Sequence, residues 1–285
     1  MVAVSPVELE YCSDLAMPPG SLFEFTSRFL PADRRESLLA LYALMQAIGK
    51  IPHSPVDDSV KWAKLKWWSE ELVAEPDSSS RHPVMRVLWL SGARSRLNND
   101  LLLRLLSDAV MQIDVAPDRD ENVMFERLTG LGSTEIQLEL ALDKSEIDTR
   151  NLSFLAAASR LSQIIASFSA HQQFETGQLP MNVLAKYNVS AAQLEQKLYP
   201  DKLAQILAQL AGYGLDWFSK GMSGLKINQN TGVQSGPGSH LQLRWAMERR
   251  RLSFIRKDAG RFLDEGKRYG PADAWFAWRF LRRLK

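Results

Sequence analysis

The sequence predicts an all-α protein that folds as a single domain over residues 1–285. Apolar residues recur every three or four positions through most of the chain, which is the spacing of a buried helix face. No stretch alternates polar and apolar residues as a half-buried strand would, and no linker separates two hydrophobic halves. The content of 45% hydrophobic and 24% charged residues is ordinary for a globular protein, and 285 residues suffice for one large core.

The first strongly periodic segment follows Pro31. Because proline favours the first turn of a helix, Pro31 predicts the start of a helix here. Gly49 and Pro52 predict the end of this helix or a distortion in it. The apolar positions at helical spacing are Leu38, Leu41, Tyr42, Met45 and Ile48.

A second helix is predicted over residues 58–75, again from apolar residues at three- and four-residue spacing. Four tryptophans of the chain are expected on core faces of helices: Trp62, Trp68, Trp89 and Trp217. The other predicted helices cover residues 83–91, 98–115, 121–142, 151–173, 178–188, 190–197, 200–222, 239–265 and 271–284.

Three segments lie outside this pattern of core helices. Residues 1–19 are interpreted as an N-terminal extension, and residues 226–239, which are polar and rich in glycine, as a flexible surface loop. Residues 240–285 are interpreted as basic C-terminal helices, because residues 241–285 contain 13 Lys or Arg and 5 Asp or Glu. This excess of positive charge favours either an anionic partner or a solvated helix face, and the sequence leaves both open.

The last predicted helix interleaves aromatic and cationic residues over 271–285. Such a helix can lie in a membrane interface, or it can dock its aromatic side chains on the protein, which is the interpretation we favour. A nucleic-acid partner is not expected, since no nucleic-acid-binding motif accompanies the basic residues.

The start of the chain does not resemble a signal peptide, and no apolar run approaches the roughly 20 residues of a membrane span. The single cysteine, Cys12, cannot form an internal disulfide. We therefore expect a cytoplasmic protein, with attachment to the surface of the inner membrane as an alternative.

Residues 28–53 resemble a signature helix of the squalene/phytoene synthase family, the head-to-head trans-prenyltransferases. Residues 41–44, Leu-Tyr-Ala-Leu, correspond to a Leu-Tyr-Ala-Phe stretch in that family. The three acidic positions of the Asp-Asp-x-x-Asp motif that follows fall on Gly49, Lys50 and His53.

Residues 161–188 resemble the second signature of the same family. Residues 161–165 match in character, and Pro180 keeps the spacing of the family's proline. The arginine position carries Ala166, and the three acidic positions fall on Ser167, Ala170 and His171. Two further segments support the resemblance: residues 66–72, which are similar to a Trp-Trp-x-x-Glu-Leu segment, and residues 125–138, in which Gly130 stands at the family's close-packing glycine.

The resemblance implies an isoprenoid synthase-type helical bundle around a central apolar cavity that opens at one end. The positions expected to line the cavity are Tyr42, Met45, Gln46, Gly130, Gln163 and Phe168. The positions expected at its mouth are Gly49, Lys50, His53, Ser167, Ala170 and His171.

The family holds Mg²⁺ with carboxylates at the mouth positions, where the ions neutralise the leaving diphosphate. Here all six positions lack a carboxylate, so we expect no catalytic residue, no metal ligand and no cofactor at this site. Lys50 and a protonated His53 or His171 can instead bind an anionic group without metal. A transition metal held by two imidazoles is not favoured, because no third ligand is evident.

The sequence therefore predicts a non-catalytic protein that binds an isoprenoid-like lipid or a protein partner near the membrane. Relatives that act in complex I assembly suggest a role in assembling a respiratory complex. Two alternatives stay open. One is an active prenyltransferase that holds Mg²⁺ through displaced ligands and condenses prenyl diphosphates. The other is an interaction scaffold with a collapsed interior.

Overall fold

The computed structural model describes residues 4–74, 82–113, 115–143, 146–147, 149–168, 179–196, 199–223, 227–228, 239–266 and 269–283. The described residues form fourteen α-helices, a short 3-10 helix at Arg94–Arg96, and two strands of two residues each. The helices are α1 Pro6–Ala16, α2 Leu22–Ser27, α3 Ala32–Gly49, α4 Asp58–Val73, α5 Pro83–Leu90, α6 Asn99–Val110, α7 Glu121–Asp143, α8 Thr149–Ser167, α9 Met181–Lys186, α10 Ala191–Glu195, α11 Pro200–Met222, α12 Ser239–Lys257, α13 Ala259–Glu265 and α14 Pro271–Arg283. The strands β1 Glu146–Ile147 and β2 Ile227–Asn228 pair antiparallel.

The predicted all-α class is confirmed, and α3 to α14 lie where the hydrophobic periodicity predicts helices. The single helix predicted over 239–265 is wrong, because the chain breaks between α12 and α13. Asp258 leaves the helical conformation, with φ −150° and ψ 71°, and its side chain accepts a hydrogen bond from the backbone amide of Arg261. The carboxylate thus caps α13 and starts a new helix.

Two helices were not predicted. The segment 1–19, interpreted as an extension, contains α1, which begins with a capping box between Ser5 and Glu8. Cys12 and Ala16 on α1 are buried, so this helix is part of the folded core. Helix α2 follows and is capped by the side chain of Ser21.

Helix α7 lies between the two large apolar clusters. Leu138 and Leu142 belong to the cluster built with α1 and α3 to α6, whereas Ile136 and Leu140 belong to the cluster built with α8, α9 and α11 to α13. A third, smaller cluster joins α2, α12 and α14. Since α7 contributes to both large clusters, its intermediate positions lie at the boundary between them.

The glycine that allows close helix packing is Gly132 rather than Gly130. A Cβ atom at Gly132 would lie 2.3 Å from the carbonyl oxygen of Ala156 on α8, whereas one at Gly130 would meet nothing within 4 Å outside its own helix. The assignment of Gly130 to this role is therefore wrong. The sequence places two glycines on α7 two residues apart, and spacing alone does not say which one faces α8.

Among the tryptophans predicted to lie on core faces, Trp68 is in the core. The prediction for Trp62 is wrong, because its side chain is 49% exposed. The loop predicted over 226–239 falls largely outside the described residues, apart from Ile227–Asn228 in β2 and Ser239 at the start of α12. Within the part of the chain that is described, no helix is both long and apolar enough to span a bilayer.

Candidate functional site

The first signature ends at the C-terminus of α3. Gly49 is the last residue of the helix, Lys50 follows it as the C-cap, and His53 lies in the next turn. The side chains of Lys50 and His53 are exposed to solvent. The end of the first signature therefore presents an ammonium and an imidazole where the family pattern has carboxylates.

The second signature ends with α8. Ser167 is the last residue of the helix and is partly exposed, and its hydroxyl donates a hydrogen bond to the carbonyl oxygen of Ile164 at 2.7 Å. Ala170 and His171 lie outside the described residues. Whether His171 approaches His53 therefore stays a prediction.

Gln163, one turn before the end of α8, belongs to a polar cluster with Glu135 of α7. Arg160 donates hydrogen bonds to Oε1 of Glu135 at 3.0 Å and to Oε1 of Gln163 at 2.9 Å. The amide nitrogen of Gln163 donates to Oε2 of Glu135 at 3.2 Å. One carboxylate is thus held beside the second signature, and a guanidinium already neutralises it.

Asp108 of α6 is the second acidic group near this cluster. Burial raises the pKa of Asp108 to about 6, and the hydrogen bond from Thr134 opposes this shift only in part. A carboxyl group with a raised pKa favours the protonated, neutral form and is a weak ligand for a divalent cation.

These residues do not fit Mg²⁺, which prefers several oxygen ligands supplied by carboxylates and phosphates. Among the residues that the structure describes, no three His, Cys, Asp or Glu side chains are grouped closely enough to hold a metal ion. The described signature positions offer one lysine, one imidazole, one hydroxyl and a glycine, and Lys50 would repel a cation.

A buried polar network crosses the boundary between the two large apolar clusters. The hydroxyl of Tyr42 on α3 donates a hydrogen bond to Oε1 of Glu139 on α7 at 2.5 Å. Nη2 of Arg244 on α12 lies 3.1 Å from the same oxygen, and Nδ1 of His240 lies 3.5 Å from Oε2. Nε2 of His240 is hydrogen-bonded to the hydroxyl of Thr26 at 3.1 Å. The network thus joins α2, α3, α7 and α12.

The charges of this network are almost completely removed from solvent, since Glu139 and Arg244 are each 3% exposed. Burial alone would raise the pKa of Glu139, but Arg244 and His240 more than offset it, and the pKa lies below its ordinary value. Glu139 is therefore an ionised carboxylate at neutral pH, stabilised by the guanidinium of Arg244.

The network continues along the inner face of α12 toward α8. The hydroxyl of Ser159 donates to Oε1 of Glu248 at 3.0 Å. Nη2 of Arg251 donates to the hydroxyl of Ser162 at 2.8 Å and to its carbonyl oxygen at 2.9 Å. Burial raises the pKa of Glu248 to about 7, and the nearby arginines oppose this shift.

Sequence reasoning missed most of this network. It singled out Tyr42, but not Glu139 or the inward positions of α12. A signal was present, because the polar residues of α12 that face inward follow helical spacing: His240, Arg244, Glu248 and Arg251. The sequence leaves an anionic partner and a solvated helix face open for the charges of this helix, and the burial of Arg244 and Arg251 excludes a solvated face for these two residues.

The other predicted lining positions divide into two groups. Met45 and Phe168 are buried, and each belongs to one of the two large apolar clusters. Gln163 is partly buried, and Gln46 and Gly130 are exposed. These burial values alone do not define a cavity, so the lining role of these residues stays a prediction.

Comparison with solved structures places this arrangement in a known fold. A dehydrosqualene synthase in complex with ligand matches with a TM-score of 0.68 at 15% identity, over 98% of this chain and 96% of that one. Squalene synthase HpnC from Alicyclobacillus acidocaldarius matches with a TM-score of 0.62 at 16% identity, over 90% of this chain and 97% of that one. At these identities the similarity establishes the isoprenoid synthase fold alone.

No curated protein sequence matches the chain significantly. The profile of the squalene/phytoene synthase family, however, matches residues 19–265. That range includes both signature helices, α7 and the inner face of α12. The chain therefore belongs to the squalene/phytoene synthase family.

Proposed function

We propose that this chain is a non-catalytic member of its family, which binds an isoprenoid-type lipid or a protein partner near a membrane. The observation that carries the proposal is the replacement of the acidic signature positions as a set, with Gly49, Lys50 and His53 on one helix end and Ser167 on the other. A function based on binding needs the fold but not the metal, so it agrees with a retained bundle and absent ligands.

The physical reason lies in the leaving group. An allylic diphosphate ionises readily only when its departing negative charge is neutralised, and Mg²⁺ held by carboxylates supplies that neutralisation in this family. Lys50 can attract a diphosphate, but one exposed ammonium in water provides little stabilisation of a developing charge. We therefore expect at most binding of the anionic group at this position.

The buried network supports the same conclusion. Tyr42, at a position expected to face substrate, donates its hydroxyl proton to Glu139, which also lies against Arg244. These groups connect helices and stabilise the bundle. The charged centre of the molecule thus has a structural role that does not depend on a metal or a substrate.

One observation favours the rival function, an active prenyltransferase with displaced ligands. Glu135 lies beside Gln163 at the second signature, and Asp108 is near the same cluster. Against it, Nη1 of Arg160 lies 3.0 Å from Oε1 of Glu135 and already pairs with this carboxylate. The raised pKa of Asp108 also weakens the ability of that carboxyl group to bind metal. We therefore keep this function as the alternative that the experiment must exclude.

The test is incubation of the purified protein with farnesyl or geranylgeranyl diphosphate and Mg²⁺, followed by analysis of the extracted lipids. We expect no condensation product. A product that disappears when EDTA is added would overturn the proposal. In that case Glu135→Gln should abolish turnover if displaced ligands act, whereas Glu265→Gln, an exposed glutamate on α13, should not change it.

Two further measurements separate the two kinds of partner. Native mass spectrometry of the purified protein detects an isoprenoid-type lipid that remains bound through purification. Deletion of the gene, followed by native gel analysis of the respiratory complexes, tests the proposed role in assembly. Absence of both a bound lipid and an assembly defect would contradict both forms of the binding proposal.

A further inference from the structure

Helix α14 carries an exposed surface of tryptophans and arginines, which we call the Trp–Arg face and define as Trp275, Trp278, Arg279, Arg282 and Arg283. Trp275 is 57% exposed and Trp278 is 50% exposed. The guanidinium carbon of Arg279 lies 5.2 Å from the ring centroid of Trp275, and that of Arg282 lies 4.7 Å from the ring centroid of Trp278. Each arginine thus covers one side of an indole and leaves the other open to solvent.

The opposite side of α14 is fixed to the protein. Ala277 is buried, and Phe276 and Phe280 pack in the cluster that includes Leu243 and Met247 of α12. The buried carboxylate of Asp273 accepts a hydrogen bond from Nε of Arg250 at 2.7 Å. The helix therefore cannot rotate to bury its tryptophans without breaking these contacts. The sequence left docking and membrane contact as alternatives, and this geometry allows both at once.

The charge on the outward side of α14 has one sign. The only acidic residue of the helix is Asp273, which points inward to Arg250, and the charged residues exposed to solvent are Arg279, Arg282 and Arg283. Solvent-facing indoles next to guanidinium groups match a membrane interface, where tryptophan lies at the level of the headgroups and arginine meets their phosphates.

We propose that the Trp–Arg face of α14 binds the surface of a bilayer that contains anionic phospholipids. The two indoles enter the interface, and the three arginines contact the lipid phosphates. A single-stranded nucleic acid fits less well, because an arginine covers one side of each indole and leaves only the other side for base stacking.

This inference deepens the proposed function and rests on it for its biological purpose, namely to hold a binding protein near a membrane. Its test is separate, because vesicle binding does not require prenyl transfer. If the protein catalyses prenyl transfer and binds vesicles, only the proposed function is overturned. If it catalyses no prenyl transfer and does not bind vesicles, only this inference is overturned.

The experiment is sedimentation of the full chain with vesicles of phosphatidylcholine, with and without phosphatidylglycerol. We expect binding to the anionic vesicles that weakens with added salt, and little binding to the zwitterionic ones. Arg282→Gln should reduce the partition coefficient about fivefold, which is the effect of roughly one surface arginine. Arg119→Gln, which removes an 83% exposed guanidinium elsewhere, should leave it unchanged.

A matched pair of tryptophans separates a specific face from general hydrophobicity. Trp278→Ala should weaken vesicle binding, whereas Trp62→Ala on α4, with a nearly equal exposure of 49%, should not. Thermal unfolding curves of both variants show whether the fold is intact, and in the wild-type protein a blue shift of tryptophan emission on anionic vesicles should accompany binding.

Three results would overturn the inference. One is the absence of binding to anionic vesicles, and another is an equal loss for Trp62→Ala and Trp278→Ala. The third is binding of single-stranded RNA by the Trp–Arg face without binding of vesicles, which would assign this surface to nucleic acid.

Discussion

The buried ion pair between Glu139 and Arg244 should dominate the response of this protein to mutation. Glu139→Gln removes the charge and keeps a carbonyl oxygen that can accept the hydrogen bond from Tyr42. Arg244, which is 3% exposed, would then be a buried cation without its counter-ion. Breaking a buried pair in this way costs about 3–5 kcal/mol. The retained hydrogen bond places our expectation near the lower value, about 3 kcal/mol.

The assay is urea unfolding, supported by thermal unfolding, of the variant and of a matched control. For a domain of this size a loss of about 3 kcal/mol lowers the melting temperature by roughly 5 °C. The control is Glu265→Gln, which breaks an ion pair to Arg261 of similar length, 3.0 Å, with both side chains about 60% exposed. An exposed pair of this kind contributes less than about 1 kcal/mol.

A double variant distinguishes the pair from its surroundings. Arg244→Met alone leaves the carboxylate of Glu139 buried without its cation, so it should also be strongly destabilising. Combined with Glu139→Gln, the loss should be smaller than the sum of the two single losses by about 1–3 kcal/mol. Equal effects of Glu139→Gln and Glu265→Gln, or strict additivity in the double variant, would refute the reasoning.

Three further predictions concern the interior and the end of α3. Burial raises the pKa of Glu248 from 4.5 to about 7, so in that pH range the native state binds more protons than the unfolded state, and the free energy of unfolding should fall as the pH rises. Urea unfolding at several pH values in this range should show that the free energy of unfolding of Glu248→Gln falls less steeply with pH than that of the wild type. At pH 8 the variant should be more stable than the wild type by about 1–3 kcal/mol. An unchanged dependence of the unfolding free energy on pH would contradict this assignment. Gly132→Ala should cost about 1–3 kcal/mol, because its Cβ would meet the backbone of Ala156 at 2.3 Å. Gly130→Ala should instead stabilise α7 by up to about 1 kcal/mol. A thermal unfolding experiment in which Gly130→Ala is the less stable variant would show that the packing is different. Lys50→Ala should weaken any binding of inorganic diphosphate measured by calorimetry without Mg²⁺, and binding that neither this change nor added salt reduces would exclude Lys50 as the anion-binding group.

The helices could be predicted because the information that defines them is local. Periodic apolar residues together with Pro31, Gly49 and the polar loops placed α3 to α14 within a few residues. The break between α12 and α13 is also local in origin, since Asp258 caps the second helix through a hydrogen bond from Arg261. It was missed because the apolar periodicity continues across the break.

The buried network could not be predicted, because its partners are distant in sequence. Tyr42 and Glu139 are 97 residues apart, and nothing near Glu139 in the chain shows that Arg244 neutralises it. A charged residue on a core face is energetically acceptable only when such a partner exists. Trp62 shows a related limit, because the apolar spacing on α4 predicts burial for Trp62 as it does for Trp68, yet the side chain of Trp62 is 49% exposed.

The loss of acidic residues at the signature positions is evident in the sequence, but its consequence depends on what surrounds them. The structure shows Gly49, Lys50 and His53 at the end of α3 and places Glu135 beside Gln163 with Arg160 already bound to it. Only the three-dimensional arrangement reveals that this carboxylate is neutralised, since Glu135 and Arg160 belong to different helices.

The most direct test of the account is the effect of Mg²⁺ on the affinity for farnesyl thiodiphosphate, an analogue that ionises slowly, measured by isothermal titration calorimetry. The described residues at the two helix ends offer no set of carboxylates that could bridge a metal to the diphosphate. The account therefore predicts that Mg²⁺ leaves the dissociation constant unchanged or raises it by screening the analogue's charge. A dissociation constant that falls on addition of Mg²⁺ and is restored by EDTA would contradict it.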